Sequence, residues 1–351
     1  MPFFSSFVFR LTSMTSKISI DLGTANTVFV DSESGVILDE PSVVAFHIKD
    51  GRKKLFAVGE DAKLMLGKTP ESIQACRPLS DGVIADFDAA QEMIGAFFRK
   101  ALNRFMLRKP IVYVCVPYGA TPVEKRAIKH SVEAAGARKV GLVEEPMAAA
   151  LGAGLPVLDP RGAMIVDIGG GTTEVAVLSL GGIVTARSVR IGGDHFDEAI
   201  SNFIKKNYNL NVGVSSCEKL KHEIGTAIFP ADGKGRSATV RGRDAFNGLP
   251  KEQVVTEQDV AEALHPLIEQ IWTAVMSLLD QTPPDLASDI HEYGLMLTGG
   301  GAGLRGIDKA LSDLTGVPAT VAENPKYCVA FGTQIAMNLG KRMEHAIQRD
   351  P

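Results

Sequence analysis

The same short device occurs twice in this chain, and a duplicated device limits the fold more than any bulk property does. Near the start, the apolar run Ile18-Ser19-Ile20 ends in Asp21, passes through Leu22, Gly23, Thr24, Ala25 and Asn26, and resumes as Val28-Phe29-Val30. Later, Ile165-Val166 ends in Asp167, passes through Gly169, Gly170, Gly171, Thr172 and Thr173, and resumes as Val175-Ala176-Val177-Leu178. Each reads as strand, carboxylate, Gly/Thr turn, strand. Glycines let the backbone approach a phosphate and turn its amide donors inward, because no Cβ blocks the way and positive φ costs nothing there. One such turn is compatible with an ordinary hairpin, but two copies imply two similar half-molecules. Facing each other, the turns would grip a phosphate chain from both sides, with Asp21 and Asp167 holding a hydrated Mg²⁺ through water.

At 351 residues the chain exceeds a single core, so two domains are expected. A net charge of −4 and the lack of any Lys/Arg block supply no basic field, which argues against nucleic acid as a partner. Cys76, Cys115, Cys217 and Cys328 are far apart and form no CxxC pair, so they read as buried thiols of a reducing compartment and not as a zinc or disulfide framework. His222-Glu223 and His291-Glu292 begin like a zincin helix but lack the second histidine. No apolar run approaches the ~20 residues that span a bilayer. The leader lacks a basic start and a small-residue cleavage site, so the protein is expected to stay inside the cell.

Periodicity places the elements. Strands are expected near 18–23, 27–31 and 41–48, with a turn at Lys49-Asp50-Gly51-Arg52-Lys53 and helices around 59–67 and 88–104. Ile111–Val116 is a buried strand, and a helix follows Thr121 with Pro122 at its first position and Glu124 placed for a capping box. A strand at Val140–Val143 delivers Glu144-Glu145-Pro146 to the Ala-rich helix 147–153, whose small side chains invite close packing. Further strands are expected at 163–168, 174–180, 183–190 and Leu295–Thr298, and helices at 194–207, 215–226 and 257–280. Asp194 reads as a helix cap, or as a residue near the phosphates.

These stretches together resemble the actin and DnaK-type ATPase superfamily, and within it the MreB family of bacterial actin homologues. The resemblance rests on IDLGTANT at 20–27, DGVIADF at 81–87, VCVPYGAT at 114–121, EEPMAAALGAGLP at 144–156, VDIGGGTTEVAVLSL at 166–180 and LTGGGAGLRG at 297–306. It implies an α/β, actin-like ATPase fold of two similar domains, each with a smaller subdomain and with a nucleotide cleft between them. The expected layout is a leader at 1–17 and domain I at 18–156, with a small subdomain about 32–80. Domain II follows at 157–324, with a small subdomain about 192–256, and a segment 325–351 returns to domain I.

The resemblance also implies roles. ATP and Mg²⁺ are the expected cofactors. Glu145 matches the carboxylate that orients the attacking water, and Thr172 stands where its hydroxyl could share that task; the competing reading makes Glu145 a simple helix-start carboxylate. Glu144 stands where many relatives carry Asp. Glu218, Lys219, Leu220 and Lys221 form the stretch assigned to the adenine and ribose, against a plain solvated helix face. Gly299, Gly300, Gly301 and Ala302 form a third Gly turn on the adenosine side. A GxGxxG match at Gly301–Gly306 invites a dinucleotide reading, but too little chain follows it, and no P-loop motif occurs.

Filaments of the chain with itself, a role in rod cell shape and Rod-complex membrane proteins as partners are likewise implied by the resemblance alone. A specialised paralogue aligning plasmids or organelles is the alternative. A small-molecule kinase and a DnaK-type chaperone are the more distant ones, the latter needing a peptide-binding domain after the ATPase.

Two apolar stretches point to a peripheral site on the inner face of the cytoplasmic membrane. Phe3, Phe4 and Phe7 share one side of an amphipathic leader, for which a disordered leader or a start at Met14 is the alternative. Phe105, Met106 and Leu107, flanked by Arg104, Arg108 and Lys109, suit insertion into an anionic lipid surface, against folding back into the core.

Overall fold

The computed structural model describes residues 16–102, 109–340 and 347–348. The first half opens with β1 (Lys17–Leu22), β2 (Asn26–Asp31) and β3 (Gly35–Pro41) as an antiparallel meander. A separate three-stranded sheet follows, made of β4 (Val44–Lys49), β5 (Arg52–Val58) and, after helix α1 (Glu60–Lys63), β6 (Ile73–Cys76). The chain returns through the small hairpin β7 (Leu79–Ser80) and β8 (Val83–Ile84) to helix α2 (Phe87–Ala101). Strand β9 (Ile111–Val116), helix α3 (Pro122–Ala135), strand β10 (Lys139–Glu144) and helix α4 (Glu145–Gly152) complete it.

The second half repeats the plan with β11 (Ala163–Ile168), β12 (Thr173–Ser179) and β13 (Gly182–Val189), followed by helix α5 (Gly193–Tyr208). A smaller sheet combines β14 (Leu210–Asn211) with β15 (Ser237–Asp244) and β16 (Pro250–Thr256), and α6 (Val214–Ile224) lies between its first two strands in the chain. Helices α7 (Glu257–Asp280) and α8 (Pro284–Tyr293) lead to β17 (Leu295–Thr298), α9 (Ile307–Thr315), β18 (Ala319–Val321), α10 (Cys328–Leu339) and β19 (Ile347–Gln348).

The internal repeat is visible in strand order. The first main sheet runs β3-β2-β1-β9-β10, with β19 added at its edge, and the second runs β13-β12-β11-β17-β18. In both, an antiparallel meander is extended on its first strand by parallel strands, with β1 beside β9 and β11 beside β17. The end of each first strand therefore meets the same kind of neighbour. Central strand β11 is buried along its whole length, which is why its sequence is a nearly continuous apolar run.

Local chemistry explains the helix starts. Asp86 caps α2 by accepting from the Ala89 amide at 3.0 Å, and Ala89, Met93, Ala96 and Phe97 face the first core. Thr121 and Glu124 form the capping box on α3. Thr256 and Asp259 form another on α7, whose Val260, Leu264, Ile268, Ile271, Val275 and Leu278 are buried. A third cluster joins the halves: Cys115 and Val143 from the first, Ile165, Ala176 and Leu178 from the second, and Met147 to Leu151 of α4 between them.

Two expectations shift, and one helix was not expected. Strand β3 belongs to the main sheet, so the separate small sheet starts at Val44 and not near residue 32. The turn expected at 49–53 is tighter: only Asp50 and Gly51 adopt positive φ, and Arg52 and Lys53 already pair within β5. Helix α8 has no counterpart in the sequence reading, because Ile290 is its one fully buried residue and the apolar period is too thin to register.

Candidate functional site

The two Gly turns meet. A Cβ on Gly170 would stand 2.6 Å from Ala25 Cβ, and one on Gly171 would stand 2.9 Å from Thr24 Oγ1 and 2.8 Å from the Asp81 nitrogen. Glycine is required there by proximity, since any side chain would push the halves apart. The Thr24 hydroxyl accepts from the Gly82 amide at 3.2 Å, and the Ser42 hydroxyl donates to the Gly23 carbonyl at 2.6 Å, which fixes the first turn. Helix α5 starts against the second turn, its Gly193 and Asp194 amides each donating at 2.9 Å to the carbonyls of Gly169 and Gly170.

Between the halves lies a cleft of about 910 Å³. Asp21, Gly23, Thr24, Ala25, Asn26, Glu145, Asp167, Gly169, Gly170, Gly171 and Thr172 line it, as do Glu218, Lys221, Gly299, Gly300 and Gly301. Three residues named from the sequence are not among its lining. Lys219 is exposed, whereas Leu220 and Ala302 are each 2% exposed and pack into the second core. Helical spacing explains the first two: residues 218 and 221 share a face of α6, and the pair between them turns away.

The cleft floor is a concentration of carboxyl groups. Burial pushes Asp21 up to about 7, the charges of Asp167 and Asp39 adding to the effect and the Cys115 thiol opposing it. Asp167 is pushed up to about 6 by burial, against the Thr298 hydroxyl that donates to its Oδ1 at 2.7 Å. Glu145 is raised well above the ordinary carboxylate range by burial and then by the charges of Glu174, Asp21 and Asp167. Glu174, 1% exposed, is pushed up to about 7 by burial, although the Tyr118 amide, which donates to its Oε2 at 3.0 Å, and the Ser188 side chain oppose the rise. Glu144 sits at the N-cap of α4 without a side-chain capping bond, and Lys125 Nζ lies 3.8 Å from its Oε1.

This donor set fits a divalent cation. Burial raises the cost of ionising both Asp21 and Asp167, and the charge of Asp167 adds to it at Asp21, a cost that a bound cation would relieve. Among the described residues no group of three or more His, Cys, Asp or Glu side chains could enclose a metal. A cation that keeps most of its waters and leans on one or two carboxylates is the kind such a floor suits.

Charged pairs span the cleft. Lys63 of α1 binds Glu218 of α6 at 2.8 Å, and Arg77 binds Asp194 of α5 at 2.5 Å. Asp194 is therefore not a helix cap: Gly192 occupies the N-cap, and the Asp194 carboxylate reaches the other half of the molecule. Lys221 joins Asp197 and the Gly193 carbonyl, both at 2.8 Å. Asp39 collects Lys326 Nζ at 2.5 Å, Tyr327 Oη at 2.9 Å and Asn26 Nδ2 at 3.0 Å. Burial works to raise Asp39, but these donors outweigh it and hold the carboxyl below its usual range.

Lys63, Arg77, Asp39, Glu174 and Lys326 went unread in the sequence because each is a single charged residue outside any glycine turn. Phe3, Phe4, Phe7, Phe105, Met106 and Leu107, expected to meet a membrane, lie outside the described residues. Among the described residues no helix is long and apolar enough to cross a membrane.

The MreB/Mbl protein family matches residues 15–345. The cell shape-determining protein MreB of Escherichia coli (strain K12) is 52% identical over 330 residues, covering 93% of this chain and 94% of that protein. The crystal structure of MreB5 of Spiroplasma citri bound to ADP superposes with a TM-score of 0.87 at 39% identity, over 93% of this chain and 97% of that one. The MamK double helical filament shares the fold, with a TM-score of 0.75 at 21% identity over 92% of this chain and 99% of that one.

Proposed function

The chain belongs to the MreB/Mbl family, and from that premise we propose that it is a cell shape-determining actin homologue. In this reading it binds ATP with Mg²⁺ in the central cleft, hydrolyses it, and forms filaments on the inner face of the cytoplasmic membrane, where Rod-complex membrane proteins are its partners. The observation that carries the reading is the contact of the two Gly turns above a floor holding Asp21, Asp167 and Glu145.

The turn at Gly23–Asn26 and the turn at Gly169–Thr172 present backbone amides to the phosphates from opposite halves. Asp21 and Asp167 hold the cation through water, and the cation, when bound, supplies neutralisation of the phosphate charge. Glu145 accepts the hydrogen bond of the attacking water, and burial makes its carboxylate more basic than an ordinary one. Thr172 lines the same floor, where its hydroxyl helps to orient that water. Glu218 and Lys221 stand at the adenosine end with Gly299, Gly300 and Gly301. Kinship over 93% of the chain favours this function over the organelle-aligning and kinase readings.

Calorimetry of ATP binding tests the proposal. Asp21→Ala and Asp167→Ala should remain folded and lose the Mg²⁺-dependent part of the affinity; if both variants keep the parental affinity in Mg²⁺, the two-turn site is wrong.

A further inference from the structure

The two carboxylates at the cleft floor each receive one side-chain hydrogen bond from the strand that runs parallel beside them. In the second half, Asp167 of β11 stands opposite Thr298 of β17 in the parallel register, and the Thr298 hydroxyl donates to Oδ1 at 2.7 Å. In the first half, Ile20 of β1 stands opposite Val114 of β9, and the next residue on each strand is Asp21 and Cys115. The Cys115 thiol donates to Asp21 Oδ1 at 3.3 Å. Both donors are sealed in, Thr298 at 0% and Cys115 at 2% exposure. The repeat of the fold has thus repeated a contact, with a hydroxyl in one half and a thiol in the other.

Building on the reading that Asp21 and Asp167 hold the cation, we propose that Cys115 and Thr298 are paired positioning residues. Each ties down Oδ1 of its aspartate and so fixes the rotamer in which the carboxylate meets the hydrated Mg²⁺. Neither donor is itself a ligand. A carboxylate held in one orientation has less side-chain freedom to lose on binding, and outer partners of this kind set the direction of a metal-holding group. The halves are unequal in strength, because a hydroxyl is a good donor and a thiol a weak one. Thr298 therefore anchors Asp167 firmly, and Cys115 anchors Asp21 loosely.

The distinguishing measurement is the affinity for AMPPNP, by calorimetry, once with Mg²⁺ and once with EDTA. Thr298→Val keeps the shape and deletes the donor; loss of a hydrogen bond to a charged acceptor predicts about 10- to 100-fold weaker binding in Mg²⁺ and no change in EDTA. Cys115→Ala should show the same pattern at only about two- to fivefold, since the lost bond is weaker. Thr298→Ser, which keeps the hydroxyl, should restore the parental value. The melting midpoint without nucleotide reports whether each variant is folded.

A donor that merely satisfies a buried polar group would weaken binding equally with and without Mg²⁺, and that result would overturn the assignment, as would parental affinity in both variants. Asp167→Ala run alongside separates the two claims. If it keeps its Mg²⁺-dependent affinity, the cation site itself is misplaced. If it loses that affinity and Thr298→Val does not, only the positioning role falls.

Discussion

Glu145 and Glu174 show how far a single position can be argued. Helix α4 begins at Glu145, yet its N-cap makes no side-chain capping bond, and the Glu145 carboxyl lines the cleft beside Asp21 and Asp167. Glu145→Ala is expected to bind ATP but to hydrolyse it at least ~10²-fold more slowly, the scale for losing a positioned base, and its filaments should persist longer. Phosphate release and light scattering in one sample check both, and turnover at the parental rate would return Glu145 to a helix-start role. Glu174 gives a pH prediction. Its folded pKa, about 7, lies above the ordinary glutamate value of 4.5, so between these the native state binds the extra proton and stability falls as pH rises. Above about pH 7 the full cost of the buried charge applies. Glu174→Gln should melt higher than the parent at pH 8, with the gain fading as pH falls to about 4.5; a pH-independent difference would mean that ionisation is not the cause. Residues like these divide what the sequence could and could not tell. Asp21, Asp167 and Glu145 were readable because each stands at or just past the end of a strand, next to a turn or a proline. Glu174 was hidden in the apolar run after the turn, and Lys63 and Asp39 gain meaning only from partners at Glu218 and Lys326, distant in the chain.

At the scale of elements, the crossing of α4 and α10 is set by glycine. A Cβ on Gly332 would fall 1.6 Å from the Ala148 carbonyl oxygen, and one on Gly152 would fall 1.8 Å from that of Cys328. The helices therefore touch backbone to backbone, which the Ala-rich sequence of α4 permits and its partner's glycine completes. Gly332→Ala must separate them, and overpacking of this kind costs about 1–3 kcal/mol or more. The expected outcome is a lower melting midpoint. Gly213→Ala, where a Cβ meets nothing within 4 Å, serves as a control that overpacks nothing. Equal midpoints for the two variants would contradict the packing described here. The Ala-rich stretch announced close packing but not its partner, since α10 follows α4 only after the whole second half has folded between them. Strand β5 escaped notice for a different reason. Its Arg52, Lys53 and Lys54 are exposed on an edge strand, where charge protects against unwanted pairing and hides the strand pattern.

For the molecule as a whole, the parallel pairing of β1 with β9 brings together two stretches that the sequence left far apart. Ser16 accepts from the Ile111 amide at 2.9 Å, and Lys17 stands opposite Ile111 in the register. The strand that follows the leader thus begins beside the strand that follows residues 103–108. Cationic residues 104, 108 and 109 flank Phe105, Met106 and Leu107, as suits an anionic surface. Each large apolar side chain that enters lipid contributes roughly 1.5–3 kcal/mol, too little to hold one copy firmly. A filament carries many copies on one surface, and each further engagement becomes intramolecular, so attachment strengthens with length. The expected outcome is that polymers co-sediment with anionic vesicles while monomers largely stay in solution. Deletion of residues 2–13 combined with Phe105→Ser and Leu107→Ser should release the polymers without preventing their assembly. If that combined variant still polymerises and pellets with lipid as the parent does, neither stretch is the anchor and the attachment lies on another face.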